Sequence, residues 1–435
     1  MKKQFTWLFN EIDKWVGEGI VAYEQGEIIK SRYPASVEET RWSRIIFFSI
    51  GAILFGLGVI LMFAYNWEKM PKLAKLTLVF LALGAVHVSA GRFYRPESKY
   101  RAAGEGLYLV GTMLFGAGIW LVAQIYHIQE HYPNAFLFWA LGALALAWAL
   151  PSISQGVVAV ILLVLWNGFE AFDFKNPLLL SPFLILAGLL PLAWLNRSRV
   201  LLTATVCAFL LTLAFSVSRL GSDLVVLVVF FSAVILTALG LIVRSREHFP
   251  ESSPIFSFIG SAIYISVLFV LSFHHRGRGV FTVHFGQVPD SIYFFSFALA
   301  AVVLWVWAVR IGWSKNLPTR TPFRPDYYGI PVALLVILLN TLGLLELRGW
   351  IGAAIFNLLF LFHSIMMIVS GCKSSDLKLT ATGCLLFAII AVTRYTDLFT
   401  SLLARSLVFF LTGAALFAVG LYFSRTKKAA PGKIT

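Results

Sequence analysis

The chain has 435 residues, of which 59% are hydrophobic and 13% charged, where a soluble domain carries about 25% charged residues. That composition excludes a soluble globular enzyme. The 35 Lys and Arg against 21 Asp and Glu leave a formal net charge of +14, an excess that orientation in a membrane accounts for without any nucleic-acid partner.

In chain order, residues 1–44 are the one stretch polar enough to fold outside a bilayer. Phe5, Leu8, Ile12 and Trp15 recur at helical spacing and predict an amphipathic helix. Gly17 and Gly19 break it, and a second short helix is expected from Tyr23 to about Arg32, stopped by Pro34. The segment lacks the uninterrupted apolar run of a cleavable signal peptide. It reads as a cytoplasmic helical hairpin, too small to bury a core alone.

Apolar runs then predict about 14 membrane helices, at 45–65, 73–91, 107–125, 135–150, 153–169, 178–195, 200–217, 224–243, 255–273, 291–310, 327–345, 351–370, 378–393 and 403–423. Each crossing needs roughly 20 apolar residues. In lipid only helices and closed barrels satisfy the backbone, and runs such as Leu224 to Val243 lack barrel alternation. The pair flanking Pro151 also reads as a possible re-entrant hairpin. The expected organisation is therefore an all-α polytopic bundle: a hairpin at 1–44, four helices at 45–150, about ten more at 151–423, and a basic cytoplasmic tail at 424–435.

Orientation follows from the positive charges. With the N-terminus inside, ten fall outside: Lys69, Lys72, Lys75, Lys175, Arg219, Arg276, Arg278, Arg348, Arg394 and Arg405. The other 25 of the 35 lie inside, which supports two cytoplasmic termini. Trp67, Trp120, Trp166, Trp194, Trp313 and Trp350 near span ends fit a headgroup belt.

Ionisable groups at membrane depth are costly and mark pathways or sites. Glu105 stands before the third span between Gly104 and Gly106, facing either a cavity, with Arg101 or Arg92 as counter-ion, or the headgroup level. His87 reads as a neutral hydrogen-bonding group, and His363, Asn340 and Asn357 as groups that hydrogen-bond across helices. Glu68, in the Asn66-Trp67-Glu68 turn, shares the outer face with Gln124, Tyr126, His127, Glu130 and His131, where these polar groups read as the lip of an outward cavity. His127, Glu130 and His131 also spell a His-x-x-Glu-His metalloprotease pattern. Against it, Pro133 follows at once and no third ligand is evident. His274, His275 and His284 fit an exposed polar loop. Small-residue spacings (Ala52 and Gly56, Thr112 and Gly116, and the series Gly142, Ala143, Ala145, Ala147) predict close helix approach. Cys207, Cys372 and Cys384 form neither a disulfide framework nor a Cys-x-x-Cys pair. Nucleotide-binding and nucleophile-elbow motifs are absent, so no cofactor and no metal is expected.

Several segments carry a resemblance. They include Glu11 to Ile20, Ser31-Arg32-Tyr33-Pro34, Gly51 to Ile60, Asn66 to Pro71 with Lys75, Gly104 to Leu107, Gly116 to Leu121, Gln124 to Ile128, and Trp139 to Trp148. Together they resemble the bacterial predicted-membrane-protein family named for the domain of unknown function two-one-five-seven. The resemblance covers about the first third of the chain. It implies a polytopic inner-membrane protein and, as a partner besides the bilayer, a membrane-anchored envelope protein; it brings no established activity. Two functions fit: a transporter or flippase-like protein of the envelope, or a non-catalytic scaffold that docks partners through the hairpin. A membrane-embedded hydrolase is the weaker third.

Overall fold

A computed structural model describes residues 2–31, 46–51, 53–58, 61, 71–95, 97–128, 131–150, 152–244, 248–273, 288–313, 325–345, 347 and 350–398, with scattered positions between 406 and 419. Every regular element among them is helical: α1 (Lys2–Gly17), α2 (Tyr23–Ser31), α3 (Lys72–Phe93), α4 (Arg101–Tyr126), α5 (Pro133–Ala149), α6 (Ile153–Phe172), α7 (Ser181–Leu195), α8 (Arg199–Ser218), α9 (Ser222–Val243), α10 (Ser252–Leu271), α11 (Val288–Trp313), α12 (Gly329–Thr341), α13 (Trp350–Ser374) and α14 (Leu377–Leu398). A 3-10 turn, Pro325–Tyr328, leads into α12. A shorter apolar helical stretch runs over Ile46–Gly58.

Nine helices among the described residues are long and apolar enough to cross a bilayer. At 1.5 Å rise per residue, the 15 residues of α7 and 13 of α12 fall short of a core about 30 Å thick. The chain is a polytopic, all-α membrane protein. Helices stand at twelve of the fourteen expected spans; the first is represented by Ile46–Gly58, and 403–423 lies largely outside the described residues. The expected start of the third span moves from 107 to Arg101. Gly104 and Gly106 are buried within this helix, and a Cβ on Gly104 would lie 2.7 Å from the backbone nitrogen of Tyr94. Two separate helices, α5 and α6, flank Pro151.

The chain divides into two compact units, Met1–Trp166 and Asn167–Thr435, and α6 runs through both. In the first, α1 and α2 form the hairpin. Ile12 is fully buried, and a Cβ on Gly26 would meet Val16 Cγ2 at 2.8 Å and Ile12 Cγ2 at 3.4 Å, so only glycine lets the helices cross this closely. Gly19, at φ 72°, makes the turn. Lys30 Nζ closes the open end on Asp13 Oδ1 (2.6 Å) and Glu27 Oε1 (3.2 Å). The first of these bonds, then the second, holds the lysine's pKa above its ordinary value.

Also in the first unit, α4 packs on α3 and α5. The small-residue spacings here seat aromatic rings: Trp139 of α5 lies over Gly116 of α4, and Phe115 of α4 over Gly142 of α5. In the second unit α9 is packed by α8, α10 and α11. Its Gly240 meets the backbone of Ser257, and Gly260 of α10 meets that of Thr237, where a Cβ would fall 2.7 and 2.6 Å from amide nitrogens. Gly371 and Gly383 do the same between α13 and α14. Such notches let membrane helices gain contact where no hydrophobic drive exists. Trp166, expected in the headgroup belt, is buried at 8% exposure.

Candidate functional site

The most developed polar arrangement lies where α3, α4 and the start of α6 meet within the first unit. His87 of α3 bonds its own helix, with Nδ1 2.9 Å from the Leu83 carbonyl. A carbonyl only accepts, so Nδ1 carries a proton and donates. The ring rests on Gly111 of α4, where a Cβ would come within 2.5 Å of it, and meets the Tyr108 ring edge-on at 5.9 Å.

One turn along α4, Thr112 is 1% exposed. Its hydroxyl lies 3.0 Å from the Tyr108 carbonyl and 2.8 Å from Gln155 Oε1 of α6, while its carbonyl accepts Trp139 Nε1 at 2.8 Å. One hydroxyl proton cannot serve both acceptors, so either the Thr112 bond is shared or the Gln155 amide turns over and donates. Gln155 is fully buried and its Nε2 has no partner, so in either orientation its amide keeps one unmet group.

Glu105 lies two turns before Thr112 on the same face of α4. Its Oε1 accepts the hydroxyls of Ser154 (2.8 Å) and Ser152 (3.1 Å). Ser152 caps α6 by accepting the Gln155 amide at 3.3 Å, and its own N–H goes to the Ala147 carbonyl at 3.2 Å. Ser-x-x-Gln is a capping box, but that second bond relieves Gln155 of reaching back and leaves its side chain for Thr112. Glu105 thus sits at a helix N-terminus, where the macrodipole favours a carboxylate. The expected counter-ions do not pair with it: Arg101 lies over the Tyr94 ring at 5.1 Å, and among the described residues Arg92 makes no ion pair with it.

A groove leads to this polar line. Its inner part, about 430 Å³, is lined by Phe80, Leu83, Gly84, His87, Thr112, Phe115, Gly142 and Leu146. An adjoining part, about 450 Å³, shares Phe80, Leu83 and Phe115 and reaches Trp120, His131, Tyr132 and Asn134. The walls are apolar along most of the length, and polar groups stand at the two ends.

The remaining expected residues are dispersed. Gln124, Tyr126 and His127 are exposed at the end of α4. His127 takes the left-handed conformation (φ 53°) that terminates the helix, so His127 and His131 do not share the helical face that a metalloprotease motif requires. His131 reaches the groove instead. Glu68 and its turn, Glu130, His274, His275 and His284 lie outside the described residues.

In the second unit His363 is buried, with Nδ1 2.7 Å from the Leu359 carbonyl of its own helix and its ring 5.1 Å from that of Tyr264. Asn340 Oδ1 caps the Leu347 amide. Asn357 does bridge helices: Nδ2 donates to the Ser272 carbonyl at 3.0 Å, and Oδ1 accepts Arg394 Nε at 2.7 Å. Arg394, read from sequence only as a topology charge, also donates to Ser272 Oγ and covers the Phe273 ring at 4.4 Å. Sequence reasoning likewise missed Gln155, Asn167 and Glu170. Each is a polar residue in an apolar run that helical periodicity assigns to the core, and its presence at membrane depth was the available signal.

No curated protein and no solved structure matches the chain. A family model described as Predicted membrane protein (DUF2157) matches residues 13–156, a range that holds the hairpin's second helix, His87, Glu105, Thr112 and Gln155. Over those residues the chain is similar to that family of membrane proteins.

Proposed function

We propose that the protein is a flippase-like transporter of the bacterial inner membrane, with both termini in the cytoplasm, whose cargo is an amphiphile with a long apolar chain. The observation that carries this reading is the groove of α3, α4 and α5 lined by half-buried His87 and buried Thr112, with Thr112 bonded to buried Gln155 and half-buried Glu105 two turns away on the same face of α4. The apolar walls suit a hydrocarbon chain, and the line offers hydrogen bonds to a head group that bare hydrocarbon would not. The 25 to 10 partition of Lys and Arg supports an orientation with the His131 end of the groove outside and Glu105 toward the cytoplasm.

The test is lipid movement in liposomes holding the purified full chain and a fluorescent phosphatidylglycerol, with dithionite quenching the outer leaflet. Protein-dependent loss of the protected inner pool is expected, slowed at least about tenfold in the T112V/Q155L double variant. Replacing both partners by apolar groups of similar shape leaves no new unmet group, so the fold is retained. A rate equal to that of empty liposomes, or one indifferent to the double variant, refutes the reading. A second reading, a scaffold that docks an envelope protein, draws on Ile20 and Tyr23, exposed at 67% and 71% on the hairpin; it predicts that deleting residues 1–40 abolishes function while lipid movement is unaffected.

A further inference from the structure

A second buried polar cluster lies in the other unit, where the end of α6 meets α7 and α8. Asn167 is fully buried. Its Nδ2 donates to the hydroxyl of Ser181, the first residue of α7, and to Ser216 Oγ of α8 at 3.2 Å. Ser216 Oγ passes its own proton to the Leu178 carbonyl at 3.0 Å. The other end of the amide, Oδ1, is buried with no donor. Turning the amide over would satisfy the oxygen from the Ser181 hydroxyl but strand both NH2 protons instead, so the cluster as it stands has an unmet oxygen.

The surroundings supply more oxygen. Glu170, three residues on and therefore on the same helix face, is 2% exposed, and its carboxylate accepts Asn176 Nδ2 at 3.1 Å. Between α6 and α7 the chain leaves helical geometry over residues 173–180, which brings in the carbonyls of Leu178 and Leu179; the latter accepts the Tyr293 hydroxyl of α11. Amide, hydroxyl and carbonyl oxygens on this stretch, with one carboxylate on the Asn167 face of α6, are the ligand types that a hard cation takes. Among the described residues no group of three His, Cys, Asp or Glu is placed to hold a metal, which disfavours a transition metal and leaves a singly charged ion as the match to one carboxylate.

We propose that this cluster binds a sodium ion, with Asn167 Oδ1 as a direct ligand and the Glu170 carboxylate supplying the compensating charge. The ion gives the unmet oxygen its partner and ties α6 to the loop that starts α7. The inference concerns the second unit alone and does not depend on the transport reading.

The test uses the detergent-purified full chain, melted while sodium chloride replaces choline chloride at constant ionic strength. The melting temperature should rise and saturate with sodium, since a ligand bound only by the folded state stabilises it by mass action. Glu170→Gln should raise the half-saturating concentration at least about tenfold, and Asn167→Ala should remove the response. Hydrogen–deuterium exchange of the unaltered protein should show sodium-dependent protection of residues 167–181. That last measurement decides the matter even if Asn167→Ala fails to fold. Identical melting and exchange in sodium and choline, or a sodium response retained in Asn167→Ala, overturns the proposal.

Discussion

Adding one methyl group at Gly116 tests the packing that holds the polar line in register. A Cβ there would lie 2.2, 2.3 and 2.5 Å from Cε2, Cδ2 and Cζ2 of Trp139, all well inside van der Waals contact. The indole cannot swing away freely, because its Nε1 is tied to the Thr112 carbonyl at 2.8 Å. Gly116→Ala therefore has to overpack the α4–α5 contact, at about 1–3 kcal/mol, and break a bond worth about 0.6 kcal/mol in a membrane. Together that is a destabilisation of about 1.6–3.6 kcal/mol. Reversible unfolding in mixed micelles measures it, and a double-mutant cycle with Trp139→Phe assigns it: the smaller ring leaves room for the methyl, so the double variant should cost at least about 1 kcal/mol less than the sum of the singles. A Gly116→Ala cost below about 0.5 kcal/mol, or strict additivity, refutes the aromatic-on-glycine account of this interface.

Other expectations follow from the same geometry. Glu105→Gln keeps the one oxygen that accepts both serine hydroxyls and should cost less than Glu105→Leu, which strands Ser152 and Ser154; thermal melts in detergent should separate them by about 1 kcal/mol. Arg394→Lys should recover less than half of the stability lost in Arg394→Ala, because an ammonium cannot serve Asn357 and Ser272 at once while covering Phe273. The Lys30 tie within the hairpin is fully present below the ordinary lysine pKa of 10.5. It is lost as pH rises through the raised folded value, so spin labels on α1 and α2 should separate above that point and stay together at neutral pH. Opposite in sign, Glu251 is held below 4.5 chiefly by its bond to Arg199; that tie is present above the ordinary carboxylate pKa and lost as pH falls through the lowered one. Finally, in a cysteine-free background, a thiol replacing His131 should label from outside and one replacing Arg320 should not; the reverse pattern contradicts two cytoplasmic termini.

The helices were legible because bilayer thickness imposes long apolar runs, and the hairpin because Gly17, Gly19 and the Ile12 stripe obey ordinary helix chemistry. Small-residue spacing marked Gly116 and Gly142 as points of close helix approach but not what fills them: an indole at Gly116 and a phenyl ring at Gly142. Glu105 and His87 were visible as ionisable groups in apolar surroundings, but their partners were not. Ser152 and Ser154 stand at the start of α6 and Gly111 on α4, away from the helix of the residue each meets, and pairing between helices has no signature in the spacing along one of them. Gln155 was further hidden because Ser-x-x-Gln reads as a local cap, whereas an unrelated backbone bond releases its side chain to Thr112.

The account rests most directly on the claim that the face of α4 holding Glu105, Tyr108 and Thr112 is reached from the groove. Substituted-cysteine accessibility along that helix, with Cys207, Cys372 and Cys384 replaced, measures this in native membranes. The predicted result is reaction with a small water-borne thiol reagent at positions 105, 108 and 112, recurring at helical period, with silence at the positions between them. Uniform silence from 105 to 112, or reaction without that period, would contradict it.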